Sequence, residues 1–81
     1  MYQKKILLSN VNHVYDFHKK ICKGSCNMDM VAINSKYAVD AKSLMGLLSM
    51  DLTKPVLLKA YTDDNTIMQE IHNAIKGVEV E

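Results

Sequence analysis

A chain of 81 residues has room for one domain, which at this size buries only about 60% of the surface that the unfolded chain exposes, so we predict a single domain over residues 1–81. Ten Lys residues nearly balance nine acidic residues, and the sequence contains neither Arg nor Trp. Direct nucleic-acid binding depends on dense cationic and stacking side chains, so this composition excludes nucleic acid as a direct partner.

The first third of the chain predicts a strand followed by an amphipathic helix. The segment from Tyr2 to Ser9 has strand-forming residues and ends where Ser9 or Asn10 can cap a helix. Its three consecutive aliphatic residues are too few for a signal peptide or a membrane span, so we expect a cytoplasmic protein without membrane insertion. Apolar residues at three- and four-residue steps then predict a helix, which Gly24 is placed to end. These residues are Val11, Val14, Phe17 and Ile21.

The rest of the chain predicts two further helices and three further strands. Residues 28–41 alternate loosely around Asn34 and Ser35, which favours a hairpin. Ser43 opens a short helix that ends near Asp51, and a strand follows Pro55. Asp63 and Asp64 suit the start of a last helix that Gly77 ends, with one apolar side formed by Ile67, Ile71, Ala74, Ile75 and Val78. The order β-α-β-β-α-β-α predicts a two-layer fold of helices on a sheet.

One segment carries a family resemblance. The sequence "DAKSLMGLLSM", which contains Ser43, resembles the segment around the regulatory serine of HPr, the small phosphocarrier of the bacterial sugar phosphotransferase system, and the length and element order agree over the whole chain. The resemblance implies an α+β fold, an HPr-like open-faced β-sandwich. Such a fold has one antiparallel four-stranded sheet in the order 1-4-2-3 and three helices on one face.

The phosphocarrier motif of that family is missing. HPr proteins carry a Gly-Leu-His-x-Arg-Pro type of motif at the start of helix one, whereas this chain has "SNVNHVYDFHKK", without Gly, Arg or Pro. Phosphoryl transfer needs cations and oriented N–H groups around the transferred phosphate, and no Arg is available to supply them. We therefore expect no histidine phosphocarrier activity. The sequence also has no Gly-rich phosphate loop, Ser-His-Asp set or paired-carboxylate pattern, so we expect no enzymatic activity and no cofactor. The alternative is a divergent phosphocarrier that uses His13, in the first turn of helix one.

The remaining histidines and the two cysteines have simpler interpretations. We expect His18 to be a packing residue largely covered by the sheet, His13 to be exposed and His72 to be solvated. His18, Cys22 and Cys26 follow one another at four-residue steps, which is a metal-ligand spacing on a helix, but Gly24 interrupts it and a fourth ligand is lacking. We therefore predict no metal site, with reduced thiols at the helix end and in the loop.

The short helix has more apolar residues than one buried face can use. Leu44, Met45 and Leu48 are predicted to form an apolar patch, with Leu44 near its boundary, and such patches usually mark contacts with other proteins. In HPr-like proteins the matching positions contact the phosphotransferase enzyme, sugar permease components and a transcriptional regulator, which the resemblance implies as partners here. The alternative is that Met45 is a single surface methionine.

Ser43 has both a structural and a regulatory interpretation. As an N-cap its hydroxyl accepts a backbone N–H of the first helical turn. In HPr relatives the same serine is the target of an ATP-dependent kinase, the HPr kinase, and a phosphate there would meet the free N–H groups of the helix start. The sequence favours an HPr-like regulatory or adaptor protein of the sugar phosphotransferase system or of carbon catabolite control. A protein-interaction module with neither phosphorylation is a second alternative.

Overall fold

The computed structural model describes residues 1–24, 26–33 and 35–80. These residues form seven elements in the predicted order. The strands are β1 (Tyr2–Ile6), β2 (Met28–Ala32), β3 (Ala38–Asp40) and β4 (Val56–Ala60), and the helices are α1 (Val11–Ile21), α2 (Leu44–Leu48) and α3 (Asn65–Ala74).

The four strands form one antiparallel sheet in the order β1-β4-β2-β3. β4 lies between β1 and β2, so that Leu58 is opposite Lys4 on one side and Met30 on the other, and β3 continues the sheet beyond β2. The predicted α+β class and the predicted strand order are both confirmed. The connection from β3 to β4 carries α2, which places that helix beside the edge strand.

In the described part of the chain, the helices cover one face of the sheet. Along β4 the buried residues Val56, Leu58 and Ala60 alternate with half-buried Leu57 and Lys59, which is the pattern of a sheet with one packed face. The helices contribute Val14, Phe17, Ile21, Leu47 and Ile71 to the same core, and Ile75, the C-cap of α3, joins them. The side chains of the opposite face include Leu57, Lys59, Asp29 and Val31, all of which are half-buried. The molecule is therefore an open-faced sandwich, as predicted.

Helix α1 begins as predicted and ends earlier. Asn10 caps it, and its side-chain oxygen accepts the N–H of His13 at 3.0 Å. The helix ends at Ile21 with Cys22 as its C-cap, so the end predicted at Gly24 is wrong by about one turn. Val11 was predicted to belong to the apolar stripe of this helix, but it is 47% exposed and lies outside the buried stripe. As the first residue of α1 it lies at the N-terminal end of the helix, and nearly half of its side chain is exposed.

Helices α2 and α3 have the predicted caps. The Ser43 hydroxyl accepts the N–H of Gly46, and the Asp64 carboxylate accepts the N–H groups of Thr66 and Ile67. α2 ends at Leu48 and not near Asp51, because the N–H of Ser49 closes the last turn on carbonyls of the preceding residues. Asp63 is not in α3; its carboxylate binds the N-terminal ammonium of Met1 at 3.0 Å.

The turn regions follow the predicted chemistry in part. Asn34 lies outside the described residues, whereas the Ser35 hydroxyl accepts the N–H of Tyr37 in the β2–β3 connection. Gly77 has a φ of 92°, a left-handed conformation that favours glycine, and it redirects the chain after α3. The N–H of Val80 then donates to the carbonyl of Lys5 beside β1. Within residues 1–24, 26–33 and 35–80, no helix has the length and apolar character needed to cross a membrane.

Candidate functional site

The start of α2 is the first part of the candidate site. Ser43 is exposed, and its Oγ accepts the N–H of Gly46 at 3.2 Å. The backbone before it is held by Asp40, whose carbonyl accepts the N–H of Ser43 and whose carboxylate accepts the N–H of Lys42 at 2.9 Å. These hydrogen bonds hold the backbone that places the Ser43 hydroxyl at the helix start. The Asp40 carboxylate, two residues before Lys42, lies close to this hydroxyl along the chain.

The apolar patch on α2 is smaller than predicted. Met45 is 77% exposed, but Leu44 and Leu48 are half-buried and pack against the core. Leu44, predicted near the boundary of the patch, and Leu48 are thus partly covered by the core, and Met45 is the most exposed of the three. Their spacing of four residues puts them on the flank of α2, where each has one side against the core and one side in solvent.

Helix α1 adds two exposed apolar residues that the sequence did not predict as surface. Val11 and Tyr15 are about half exposed, and they share one side of α1 with His18 and Cys22 because these positions recur at three- and four-residue steps. His18 contacts the carbonyl of Lys42, two residues before α2, so the C-terminal part of this side of α1 lies beside the start of α2. We call the group Val11, Tyr15, Leu44, Met45 and Leu48 the α1–α2 surface.

Two contacts hold α2 in place, and neither was predicted. A Cβ added at Gly46 would lie 3.0 Å from the Cβ of Val39, so the absence of a side chain lets α2 approach β3 closely. At the other end, the Ser49 hydroxyl donates to the carbonyl of Gly46, and the Tyr37 hydroxyl hydrogen-bonds to Ser49. A glycine within an apolar helical run is the one sequence signal that could have indicated this close approach.

His13 lies in the first turn of α1 and is exposed, as predicted. Its Nδ1 is 3.0 Å from the hydroxyl of Ser9, and its backbone N–H is taken by the side chain of Asn10. A phosphoryl group on this ring would therefore compete with Asn10 for a helix N–H and with Ser9 for Nδ1. The chain supplies no guanidinium to replace those interactions.

His18 and Cys22 come together, whereas Cys26 does not join them. His18 is half-buried, not largely covered as predicted, and its Nε2–H donates to the carbonyl of Lys42 at 2.9 Å, in the segment before α2. Cys22 is exposed with its Sγ 3.3 Å from the same nitrogen, and Cys26 is buried. In the described part of the chain, no group of three or more His, Cys, Asp or Glu side chains converges on one point.

The perturbed ionisable groups lie outside this surface. Partial burial raises the pKa of Tyr2, whose hydroxyl is 3.5 Å from Nδ1 of half-buried His72, a residue predicted to be solvated. The hydrogen bond from the Tyr61 hydroxyl to the Asp29 carboxylate raises the pKa of Tyr61. Hydrogen bonds from Thr53, the side chain first, lower the pKa of Asp51. None of these groups adjoins a histidine or serine of the candidate site in an arrangement for proton transfer.

Comparison with known proteins identifies the fold. The structure is similar to the crystal structure of HPr-C-His from Thermoanaerobacter tengcongensis, with a TM-score of 0.71, 23% sequence identity and coverage of 94% of this chain and 92% of that chain. No family model matches the sequence, and no curated protein matches it either. The chain therefore has the HPr-like fold predicted from its sequence.

Proposed function

We propose that this protein is an HPr-like regulatory or adaptor protein that acts in the cytoplasm, in the sugar phosphotransferase system or in carbon catabolite control, without histidine phosphocarrier activity. The observation that carries the proposal is Met45, which projects from α2 into solvent with 77% of its surface exposed. Exposure of an apolar side chain to water is unfavourable, so a protein partner that covers Met45 gains the free energy of burying it.

The surroundings of Met45 support a docking role. Half-buried Leu44 and Leu48 flank Met45 on α2, and α1, which packs beside α2, leaves apolar Val11 and Tyr15 exposed. We propose that these side chains form one docking surface, since apolar residues of this kind are typical of the centre of a protein interface. Tyr and Met are enriched at such centres because they bring large contact areas and adapt to a partner's shape. The proposed partners are the phosphotransferase enzyme that uses phosphoenolpyruvate, permease components or a transcriptional regulator.

The loss of carrier chemistry is supported by the residues around His13. Asn10 and Ser9 hold the helix N–H and the ring nitrogen that a phosphoryl group would need, and the chain lacks Arg. We therefore propose that docking continues without phosphoryl transfer through this ring.

Phosphorylation of Ser43 is the proposed means of regulation. The hydroxyl is exposed, and the N–H groups of the first helical turn beside it have no partner within the helix. A phosphate would gain those N–H groups and the positive end of the helix dipole, while it would add charge within one turn of Met45. Asp40 opposes this gain, since its carboxylate is bound to the neighbouring N–H of Lys42.

The experiment is a titration of the protein into the phosphotransferase enzyme, followed by calorimetry. Met45→Glu should weaken binding by more than about 1 kcal/mol, roughly fivefold, because docking would bury an unpaired charge. Gln69→Glu is the matched control, since it adds the same charge at an exposed site on α3. Equal affinities of Met45→Glu and the unmodified protein would mean that Met45 is a single surface methionine. Absence of binding by the unmodified protein would remove this enzyme as a partner.

A further inference from the structure

The face of the sheet opposite the helices carries two rows of side chains, which the strand pairing defines. In the order β1-β4-β2-β3, one row is Lys5, Leu57, Val31 and Ala38, and the other is Gln3, Lys59, Asp29 and Asp40. Successive side chains of a strand point to opposite faces, and the residues between these positions on β4 and β2 are buried in the core. Both rows therefore lie on the side away from the helices, and we call them the open face.

The first row gives the open face an apolar strip. Leu57 and Val31 are direct neighbours on the two central strands and are half-buried, and exposed Ala38 continues the strip on β3. Tyr61, directly after β4, is 48% exposed, and its hydroxyl donates to Oδ2 of Asp29 at 2.8 Å. Its side chain therefore lies beside the second row. Aromatic residues are enriched at protein interfaces, so this composition suits contact with another protein.

The charges of the open face are separated by sign. Lys5 and Lys59 lie on β1 and β4, whereas Asp29 and Asp40 lie on β2 and β3. One half of the open face is therefore positive and the other half negative, with the boundary between the two central strands. Lys59 and Asp29 are neighbours across that boundary, and among the ion pairs of the described residues neither takes part in one.

This charge pattern is complementary to itself, which is what the interface between two identical chains requires. A twofold axis parallel to the strands, between β4 and β2, places the positive half of each copy on the negative half of the other. The same axis keeps each row opposite the same row, so that Lys59 meets Asp29 of the second copy and Leu57 meets its Val31. A twofold axis across the strands would instead bring like charges together. The first arrangement also leaves the strands of the two sheets nearly aligned, a usual packing of one sheet on another.

We propose that the open face is the interface of a homodimer in which two copies pack sheet to sheet, with Lys59 of each copy paired to Asp29 of the other. With strands about 4.8 Å apart and residues about 3.3 Å apart, the open face measures at most roughly 19 Å by 17 Å, on the order of 300 Å². A standard interface buries about 800 Å² per partner, so the dimer is weak and reversible. The α1–α2 surface lies on the helix side and stays exposed in the dimer, so this inference does not depend on the docking role proposed for Met45.

The test measures self-association by sedimentation equilibrium from micromolar to millimolar protein. The unmodified protein should change from monomer to dimer over this range and associate no further, because a twofold interface is closed. Lys59→Asp and Asp29→Lys should each weaken the dimer at least about tenfold, since each variant places like charges opposite one another. An equimolar mixture of these two variants should recover the dimer, because each chain then carries the charge that the other lacks.

Two further variants separate loss of the interface from other effects. Leu57→Gln keeps every charge and should also weaken the dimer, because it removes an apolar contact. Lys76→Asp makes the same charge change as Lys59→Asp at an exposed position after α3, and it should leave the dimer unchanged. Thermal unfolding followed by circular dichroism checks that each variant is folded. In the unmodified protein, the amide NMR shifts that change on dilution should belong to the strands of the open face and not to α3.

Three results would overturn the proposal. The first is a monomer at millimolar concentration, which would leave the open face to a different protein. The second is a mixture of Lys59→Asp and Asp29→Lys that associates no more strongly than each variant alone. The third is dilution-dependent NMR shifts confined to the helices, which would place the contact between copies on the other side of the molecule.

Discussion

Met45 and Leu47 lie two residues apart in α2 and have opposite environments, which allows a paired test of the helix orientation. Met45 is 77% exposed and Leu47 is 1% exposed. A fully buried Met side chain contributes about 1.5–3 kcal/mol, so the quarter of Met45 that is covered contributes at most about 0.4–0.7 kcal/mol. Glu at this position in the first helical turn gains roughly 0.3–1 kcal/mol from the helix dipole. Met45→Glu should therefore change the free energy of unfolding by no more than about 0.5 kcal/mol.

Leu47→Ala is the matched change in the core. It removes buried methyl groups and leaves a cavity, which costs about 2–5 kcal/mol. For a chain of this size the melting temperature should then fall by roughly 10 °C or more. Urea unfolding followed by far-ultraviolet circular dichroism measures both variants, since the chain has no Trp to report by fluorescence. A decrease in the free energy of unfolding above about 1.5 kcal/mol for Met45→Glu, or no decrease for Leu47→Ala, would refute the orientation of α2. It would also refute the α1–α2 surface as a docking surface.

The helix caps and one shifted carboxylate allow further tests. Ser43→Ala should lower the free energy of unfolding by about 1 kcal/mol and Ser43→Gly by only a few tenths, measured by urea unfolding. Asp64→Ala removes the cap of α3 and should lower the free energy of unfolding by about 0.5–2 kcal/mol. Asp63→Ala removes only an exposed ion pair and should lower it by less than about 1 kcal/mol. Equal decreases for the two variants would contradict the assigned cap. Thr53→Val should raise the lowered pKa of Asp51 toward its ordinary value in an NMR titration. The folded-state pKa of Asp51 is lowered, so the stabilisation from its hydrogen bonds is present above the unfolded-state pKa and is lost as the pH falls through the folded-state pKa. The difference in the free energy of unfolding between Thr53→Val and the unmodified protein should therefore disappear in acid.

The fold was predictable because its information is local and repeated. Apolar residues at three- and four-residue steps indicated α1 and α3, and the caps Asn10, Ser43 and Asp64 are side-chain to backbone contacts within three residues. The end of α1 was not predictable in the same way. Gly24 is a plausible helix stop, but the helix ends at Ile21, where the chain turns toward β2. Boundaries of this kind depend on tertiary packing as well as on local preference.

The candidate site was predictable only in part because its contacts join distant segments. His18 meets Lys42 across 24 residues, and Tyr37 meets Ser49 across 12, and no periodicity within one element encodes either pairing. The exposed position of Val11 likewise depends on what lies beside α1. In contrast, the cap role of Ser43 and the exposure of Met45 follow from their positions within a single short helix.

We propose that the protein keeps regulation at Ser43 and has lost phosphoryl transfer through His13. The most direct test uses two parallel reactions. In the first the protein is incubated with HPr kinase and ATP, and in the second with the phosphotransferase enzyme and phosphoenolpyruvate. Mass spectrometry then locates any phosphate. We expect one acid-stable phosphate on Ser43 in the first reaction, absent from Ser43→Ala, and none in the second. Acid-labile phosphate that forms on His13 in the second reaction and is absent from His13→Ala would contradict the claim. Absence of phosphate in both reactions would contradict it as well, in favour of an interaction module without phosphorylation.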